Sequence, residues 1–196
     1  PHVGGSFGWK PAQAESLDTE ILRPVSDPFD SEGGLRVVDG DIGRAIVKVS
    51  AVKSEHQAIT APARVFATQA AFTKAFNDGE LEQDLVAVLP RQGPRANGMP
   101  ELHKLTPYLG VLQNRGFKVA LLTDGRMSGA SGKVLAAIQV TPEAVDGGAI
   151  GKLRDGDMIT IDSTSGTLAV AGAETVLQRD IPAMDISASH AGMAAV

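Results

Sequence analysis

Apolar positions along the chain change their spacing several times, and each change marks an element. From Leu35 the pattern becomes strand-like, and Gly43 to Val52 (GRAIVKVSAV) is rich in β-branched residues. Such a run predicts a strand buried on one face and partly on the other. Over residues 62–77 the period turns helical, with Val65, Phe72 and Phe76 on one stripe and Asn77-Asp78-Gly79 as a stop. Asp84 to Leu89 (DLVAVL) predicts a short buried strand that runs into the loop Pro90 to Gly98. Next comes a helix opened by Pro100 and Glu101, where an acid suits the helix dipole. Leu102, Leu105, Leu109 and Leu112 give it one apolar face, Pro107 is expected to bend it and Gly116 to end it. Lys118 to Thr123 (KVALLT) predicts a second buried strand, followed by the loop Asp124 to Gly132. Val134 to Val140 resumes apolar structure, and Thr141-Pro142-Glu143 resembles a capped start of a short helix. DMITID and TLAVA alternate around Ser163-Thr164-Ser165-Gly166, the pattern of a hairpin over residues 157–171.

These elements divide the chain into three stretches. Residues 1–34 are rich in Gly, Pro, Ser and acids and read as an approach segment or linker. Residues 35–172 form the domain. Residues 173–196 drift to Ala, Met and small polar residues, the composition of a docking helix or a frayed tail. Many strands with few helices between them predict a mixed α/β, β-rich barrel-like domain with flanking helices rather than a doubly wound sheet.

Composition narrows the chemistry. The 196 residues suffice for one well-cored domain, and 43% hydrophobic with 21% charged residues is an ordinary soluble balance. A net charge of −5 argues against nucleic acid as a partner. No apolar run approaches the roughly 20 residues of a membrane span and no leader opens the chain, so a cytoplasmic protein is expected. The absence of cysteine excludes a disulfide framework, a zinc–thiolate site and a cluster ligated by thiolates within these residues. His2, His56, His103 and His190 show no metal-binding spacing.

Two loops remain as candidates. In Arg91 to Glu101, Gly93 and Gly98 permit close backbone approach, and Arg91 and Arg95 offer guanidinium forks for a carboxylate or phosphate. Glu101 would repel an anion there unless a cation bridged the two; the alternative is that it serves only the helix dipole. In DGRMSGASG, Asp124 to Gly132, three glycines allow an anion-binding nest of N–H groups beside Ser128, or simply a flexible connector. The loop is neither a G-x-S-x-G elbow, since Arg126 stands at the first Gly position, nor a P-loop, since Val134 replaces the hydroxyl residue.

Taken together, GMPE (Gly98 to Glu101), TDGRMSG (Thr123 to Gly129), TPEAVDGG (Thr141 to Gly148) and RDGD (Arg154 to Asp157) resemble the iron–sulfur sugar-acid dehydratase family. That family includes the 6-phosphogluconate and dihydroxyacid dehydratases. The resemblance runs from about Leu35 to about Val170, and ELHKL and GRMSGASGK are similar to its phosphogluconate branch. Tyr108 departs from the family's TPPLG, at a place remote from the motifs. The resemblance implies that this chain is the smaller, swivelling β-barrel domain at the C-terminus of a two-domain enzyme. The cysteines of an iron–sulfur cluster, expected to be 4Fe-4S, would lie in the N-terminal domain.

The implied reaction is dehydration of a 2,3-dihydroxy acid to a 2-keto acid, here 6-phospho-D-gluconate of the Entner–Doudoroff pathway. Another sugar acid or dihydroxy acid, or a non-catalytic barrel module, is the alternative. The resemblance assigns Ser128 as the base, Glu101 as a magnesium ligand, and Arg126, Gly129, Arg95 and Gly98 to substrate binding, Arg126 either holding the anion or folding its loop. It also implies a homodimer.

Overall fold

The computed structural model describes residues 2–3, 6–9, 11–128 and 132–182. The chain divides into two compact units, Pro1–Gly33 and Gly34–Val196. In the first, strands β1 (His2–Val3) and β2 (Ser6–Phe7) pair antiparallel. Beyond them the unit is built of turns. Asp18 holds one such turn, its carbonyl accepting from Leu22 N at 2.9 Å and its carboxylate from Glu20 N at 2.9 Å.

The second unit is a closed eight-stranded barrel. Its strands are β3 (Leu35–Gly40), β4 (Gly43–Lys48), β5 (Ala58–Val65), β6 (Leu85–Leu89), β7 (Val119–Thr123), β8 (Leu135–Thr141), β9 (Met158–Asp162) and β10 (Thr167–Val170). Around the barrel the order is β10-β3-β4-β8-β7-β6-β5-β9. The strands β5, β6, β7 and β8 run parallel to one another, while β9 pairs antiparallel with both β5 and β10. The mixed barrel expected from the sequence is therefore the observed fold, and closure leaves the sheet without an edge.

Strand alternation sorts side chains into two cores. One face of each strand fills the barrel: Val86 and Val88 of β6, Ala120 and Leu122 of β7, Ile159 and Ile161 of β9. The other face of β6 and β7, with Leu85, Leu89, Val119 and Leu121, packs beneath the helices. Both strands are buried throughout, which is why their sequences are unbroken apolar runs rather than alternating ones.

The covering helices are α1 (Gln69–Asn77) and α3 (Thr106–Asn114). A short α2 (Pro94–Asn97) lies in the β6–β7 connection. Thr68 caps α1, its hydroxyl accepting from Ala71 N at 3.1 Å. The helical stripe expected over 62–77 is thus shorter than its apolar pattern. Val65 ends β5, and only Phe72 and Phe76 lie on α1.

The leucine face is present in full, with Leu102, Leu105, Leu109 and Leu112 all buried. Each such burial is worth about 1.5–3 kcal/mol. The α-helix, however, starts at Thr106. Pro107 sits in its first turn, where a missing N–H is harmless, and bends nothing. A 3-10 turn, His103–Leu105, precedes it. At the far end of the chain α4 (Ala173–Val176) packs Val176 into the barrel core, and residues 183–196 lie outside the described residues.

Parallel strands all end at the same rim. The loops following β6 and β7 must therefore leave side by side, and these are the two loops singled out from the sequence.

Candidate functional site

The first polar group past β7 is Asp124, only 1% exposed. Its carboxylate accepts three backbone N–H bonds: from Arg91 at 2.9 Å, Gln92 at 2.7 Å and Ala144 at 3.0 Å. A buried carboxylate needs such partners, and each charge-assisted bond is stronger than a neutral one. Just before it, the Thr123 hydroxyl donates to Leu89 O at 2.7 Å and accepts from Gly125 N at 2.9 Å. The ends of β6 and β7 and the segment after β8 are thereby fixed to one another. Arg91 is held with φ 63°, an uncommon conformation for a residue with a side chain.

Beyond this anchor the two loops meet a second time. Glu101 and Arg126 form an isolated parallel bridge, so Glu101 is extended backbone and not part of a helix. The helix-dipole reading of Glu101 therefore does not describe it. Its Oε1 accepts from Ser128 N at 2.6 Å and from His103 N at 3.1 Å. Its Oε2 takes Arg126 Nη1 at 3.2 Å, and Arg126 Nε reaches Met99 O at 2.9 Å. Two N–H groups of the glycine-rich loop are in use within the protein: Gly125 N donates to the Thr123 hydroxyl, and Ser128 N to the Glu101 carboxylate. Among the described residues, the carboxylate that meets this loop is Glu101.

The structure thus brings together Glu101, Arg126 and Ser128, with Ser128 and Glu101 each half-buried. Arg95 lies elsewhere on the same loop. Its guanidinium is paired with Asp146, and its backbone N–H is within 3.2 Å of the Glu143 carboxylate. Gly98 caps α2 with φ 63°, and Met99 follows at φ 58°, a double left-handed step that turns the chain toward Glu101. Gly129 lies outside the described residues. Sequence reasoning passed over Asp124, Gln92 and Glu143. An acid directly after a fully apolar strand was the available signal for Asp124, because a carboxylate there must be satisfied by nearby backbone.

The donor set limits what could bind. Among the described residues no group of three or more His, Cys, Asp or Glu side chains is placed to hold a metal ion. Glu101 stands as a lone carboxylate with lone pairs beyond its three bonds, so it fits one ligand position of a magnesium ion shared with other groups. No cysteine is present for a cluster.

Comparison with known proteins gives a consistent result. The model of the dihydroxy-acid/6-phosphogluconate dehydratase C-terminal region matches residues 20–194. The phosphogluconate dehydratase of Pseudomonas aeruginosa is 61% identical over 166 residues, 85% of this chain and 27% of its own length. That of Escherichia coli (strain K12) is 50% identical over 189 residues, 96% of this chain and 31% of its own. The dihydroxy-acid dehydratase of Halothermothrix orenii is 38% identical over 182 residues, 90% of this chain and 32% of its own. The chain thus spans less than a third of the length of each of these relatives.

Proposed function

The chain belongs to the dihydroxy-acid/6-phosphogluconate dehydratase family, and on that premise we propose that it is the base-bearing domain of an enzyme that dehydrates 6-phospho-D-gluconate to 2-dehydro-3-deoxy-6-phosphogluconate. The observation that carries the reading is the 2.6 Å bond from Ser128 N to Glu101 Oε1. It sets the serine of one motif beside the carboxylate of the other. The greater identity to the phosphogluconate dehydratases than to the dihydroxy-acid dehydratase favours the phosphorylated substrate.

In this reading Ser128 removes the proton from C2, and the enol left by loss of the C3 hydroxyl tautomerises to the 2-keto acid. A serine hydroxyl is a poor base at neutral pH, so its alkoxide needs positive charge and donors nearby. Arg126 brings such a charge to the loop, and its bonds to Met99 O and Glu101 hold Ser128's loop against the GMPE segment. When bound, magnesium beside Glu101 supplies positive charge for the substrate carboxylate, and an iron–sulfur cluster of the N-terminal domain supplies the Lewis acid for the leaving hydroxyl. Arg95, Gly98 and Gly129 are the residues this reading gives to substrate binding. We read the protein as cytoplasmic and homodimeric; no described helix is long and apolar enough to cross a membrane.

The test is steady-state kinetics of the full-length enzyme on 6-phosphogluconate and on 2,3-dihydroxyisovalerate. Turnover of the first is expected to dominate. Ser128→Ala should lower kcat by about 10²–10⁴, the usual contribution of a general base, with the cluster's absorption spectrum unchanged. Near-normal kcat in that variant would remove Ser128 from the mechanism.

A further inference from the structure

Arg91 and Arg95 stand apart from the Glu101–Arg126–Ser128 cluster, and their surroundings suit a different ligand group. We infer that Arg91, assisted by Arg95, receives the phosphoryl end of the substrate and so selects phosphorylated over unphosphorylated sugar acids. The inference rests on the dehydratase reading above and adds to it the residue that recognises the far end of the substrate.

Three observations support it. First, Arg91 is held in the left-handed region, at φ 63°, by the bonds that Asp124 accepts from its own N–H and from that of Gln92. The fold maintains an unfavourable backbone here, which sets the direction of a long cationic side chain. Second, Arg91 and Arg95 line a cavity of about 470 Å³, a volume within the usual range for small-ligand sites. The walls are otherwise apolar or small, among them Ala144, Val145, Ile181 and Pro182, and both charged lining residues are cations. Apolar walls strengthen attraction for an anion by lowering the local dielectric.

Third, the two arginines are not equally committed. Arg95 is neutralised by Asp146. The Arg91 guanidinium gives a bond to the Pro182 carbonyl, a neutral acceptor, and no carboxylate pairs with it among the described residues. A half-buried, uncompensated guanidinium with donors to spare is suited to a phosphate, which accepts several charge-assisted bonds at once.

The location also suits a bifunctional substrate. The segment that begins at Arg91 ends at Glu101, and it is braced midway by the Asn97–Gln92 side-chain bond and by Arg126 on Met99 O. One rigid loop therefore offers an anion receptor at its start and the proposed carboxylate end of the site at its finish. The phosphoryl group takes no part in bond making, so contacts to it act equally on ground and transition states. Removing them should raise KM and spare kcat.

Arg91→Asn is the variant of choice. It keeps the N–H that Asp124 needs, and Asn tolerates positive φ, so the fold is preserved. In the full-length enzyme KM for 6-phosphogluconate should rise about 10- to 100-fold with kcat within about threefold, the loss expected for a charged hydrogen-bond partner. Inorganic phosphate should inhibit the wild type competitively, and its Ki should weaken by a similar factor. Turnover of D-gluconate, where measurable, should change less than about twofold, and Arg91→Lys should recover part of the KM.

An unchanged KM and phosphate Ki in Arg91→Asn would overturn the assignment. So would non-competitive inhibition by phosphate, which marks a separate anion site, or an equal loss on gluconate and 6-phosphogluconate. Failure of the wild type to turn over 6-phosphogluconate would instead sink the dehydratase reading, and the two failures are distinguishable.

Discussion

The parallel half of the barrel, β5 to β8, and the hairpin half, in which the antiparallel pairs β9–β10 and β3–β4 meet along a parallel β10–β3 seam, treat their outer faces differently. On β6 and β7 every residue is buried, because the inner face fills the barrel and the outer face lies under the helices. On β3 the outward Leu35 and Val37 are 62% and 59% exposed, and Met158 of β9 is 41% exposed. The connections differ as well. The β3–β4 and β9–β10 hairpins return through short turns, Asp41-Ile42 and Ser163 to Gly166, whereas β6 and β7 are joined by a long crossover. Parallel strands need such crossovers, and their C-terminal ends all meet one rim. The candidate site lies where connections are long and neighbouring, and that rim carries Asp124, Glu101, Arg126 and Ser128.

The sharpest way to break this comparison is to remove the group that holds the rim together. Asp124→Ala leaves the buried N–H groups of Arg91, Gln92 and Ala144 without their acceptor. Each unsatisfied buried donor costs about 1–3 kcal/mol, so a loss of about 3–5 kcal/mol is expected in urea unfolding of the chain. A loss under about 1 kcal/mol would mean that the rim is held by strand packing alone.

A paired substitution tests the two outer faces directly. Leu121, 1% exposed beneath the helices, should cost about 2–5 kcal/mol as Leu121→Ala, for lost transfer energy and the cavity left behind. Val37→Ala on the exposed face should cost less than about 1 kcal/mol, mostly strand propensity. Similar values for the two would show that the outer face of β3 is covered in the working protein.

The same contrast explains what could be read from the sequence. The buried strands of the parallel half appear as LVAVL and VALLT because both faces are apolar, and the leucine face appears because four leucines share one period. The boundary between β5 and α1 was obscured, because Val65 fits a strand's alternation and a helical stripe equally well; only the Thr68 cap separates them. Pro107 was ambiguous for a similar reason, since proline starts helices as readily as it bends them. At the site, Glu101 and Ser128 stood out through motif resemblance. Their meeting did not, because it depends on the adjacency of β6 and β7, a pairing 34 residues apart in sequence (Leu85 with Val119). Asp124 was hidden because a buried carboxylate and a loop acid are written with the same letter.

A smaller effect is expected away from the rim, where β9 begins. Asp157 accepts from Arg179 through both carboxylate oxygens, at 2.6 and 3.0 Å, and from Arg154 N at 2.8 Å. Burial works to raise its carboxyl, but the Arg179 and Arg154 bonds outweigh that and hold it below the ordinary carboxylate value. A carboxyl depressed in the folded state contributes stability that is fully present above the unfolded pKa of about 3.9 and is lost as pH falls through the lower folded value. The wild type should therefore exceed Asp157→Asn in Tm by a constant margin from pH 7 to about pH 5, and the margin should shrink steadily below about pH 4. Because Arg179 ties the segment after α4 to the start of β9, the same variant should also speed proteolysis after Val176. A Tm difference that stays flat into acid would show that the ion pair adds nothing to the folded state. The pairing would then serve only to direct the segment from Leu177 to Pro182 toward Arg91, whose guanidinium meets the Pro182 carbonyl.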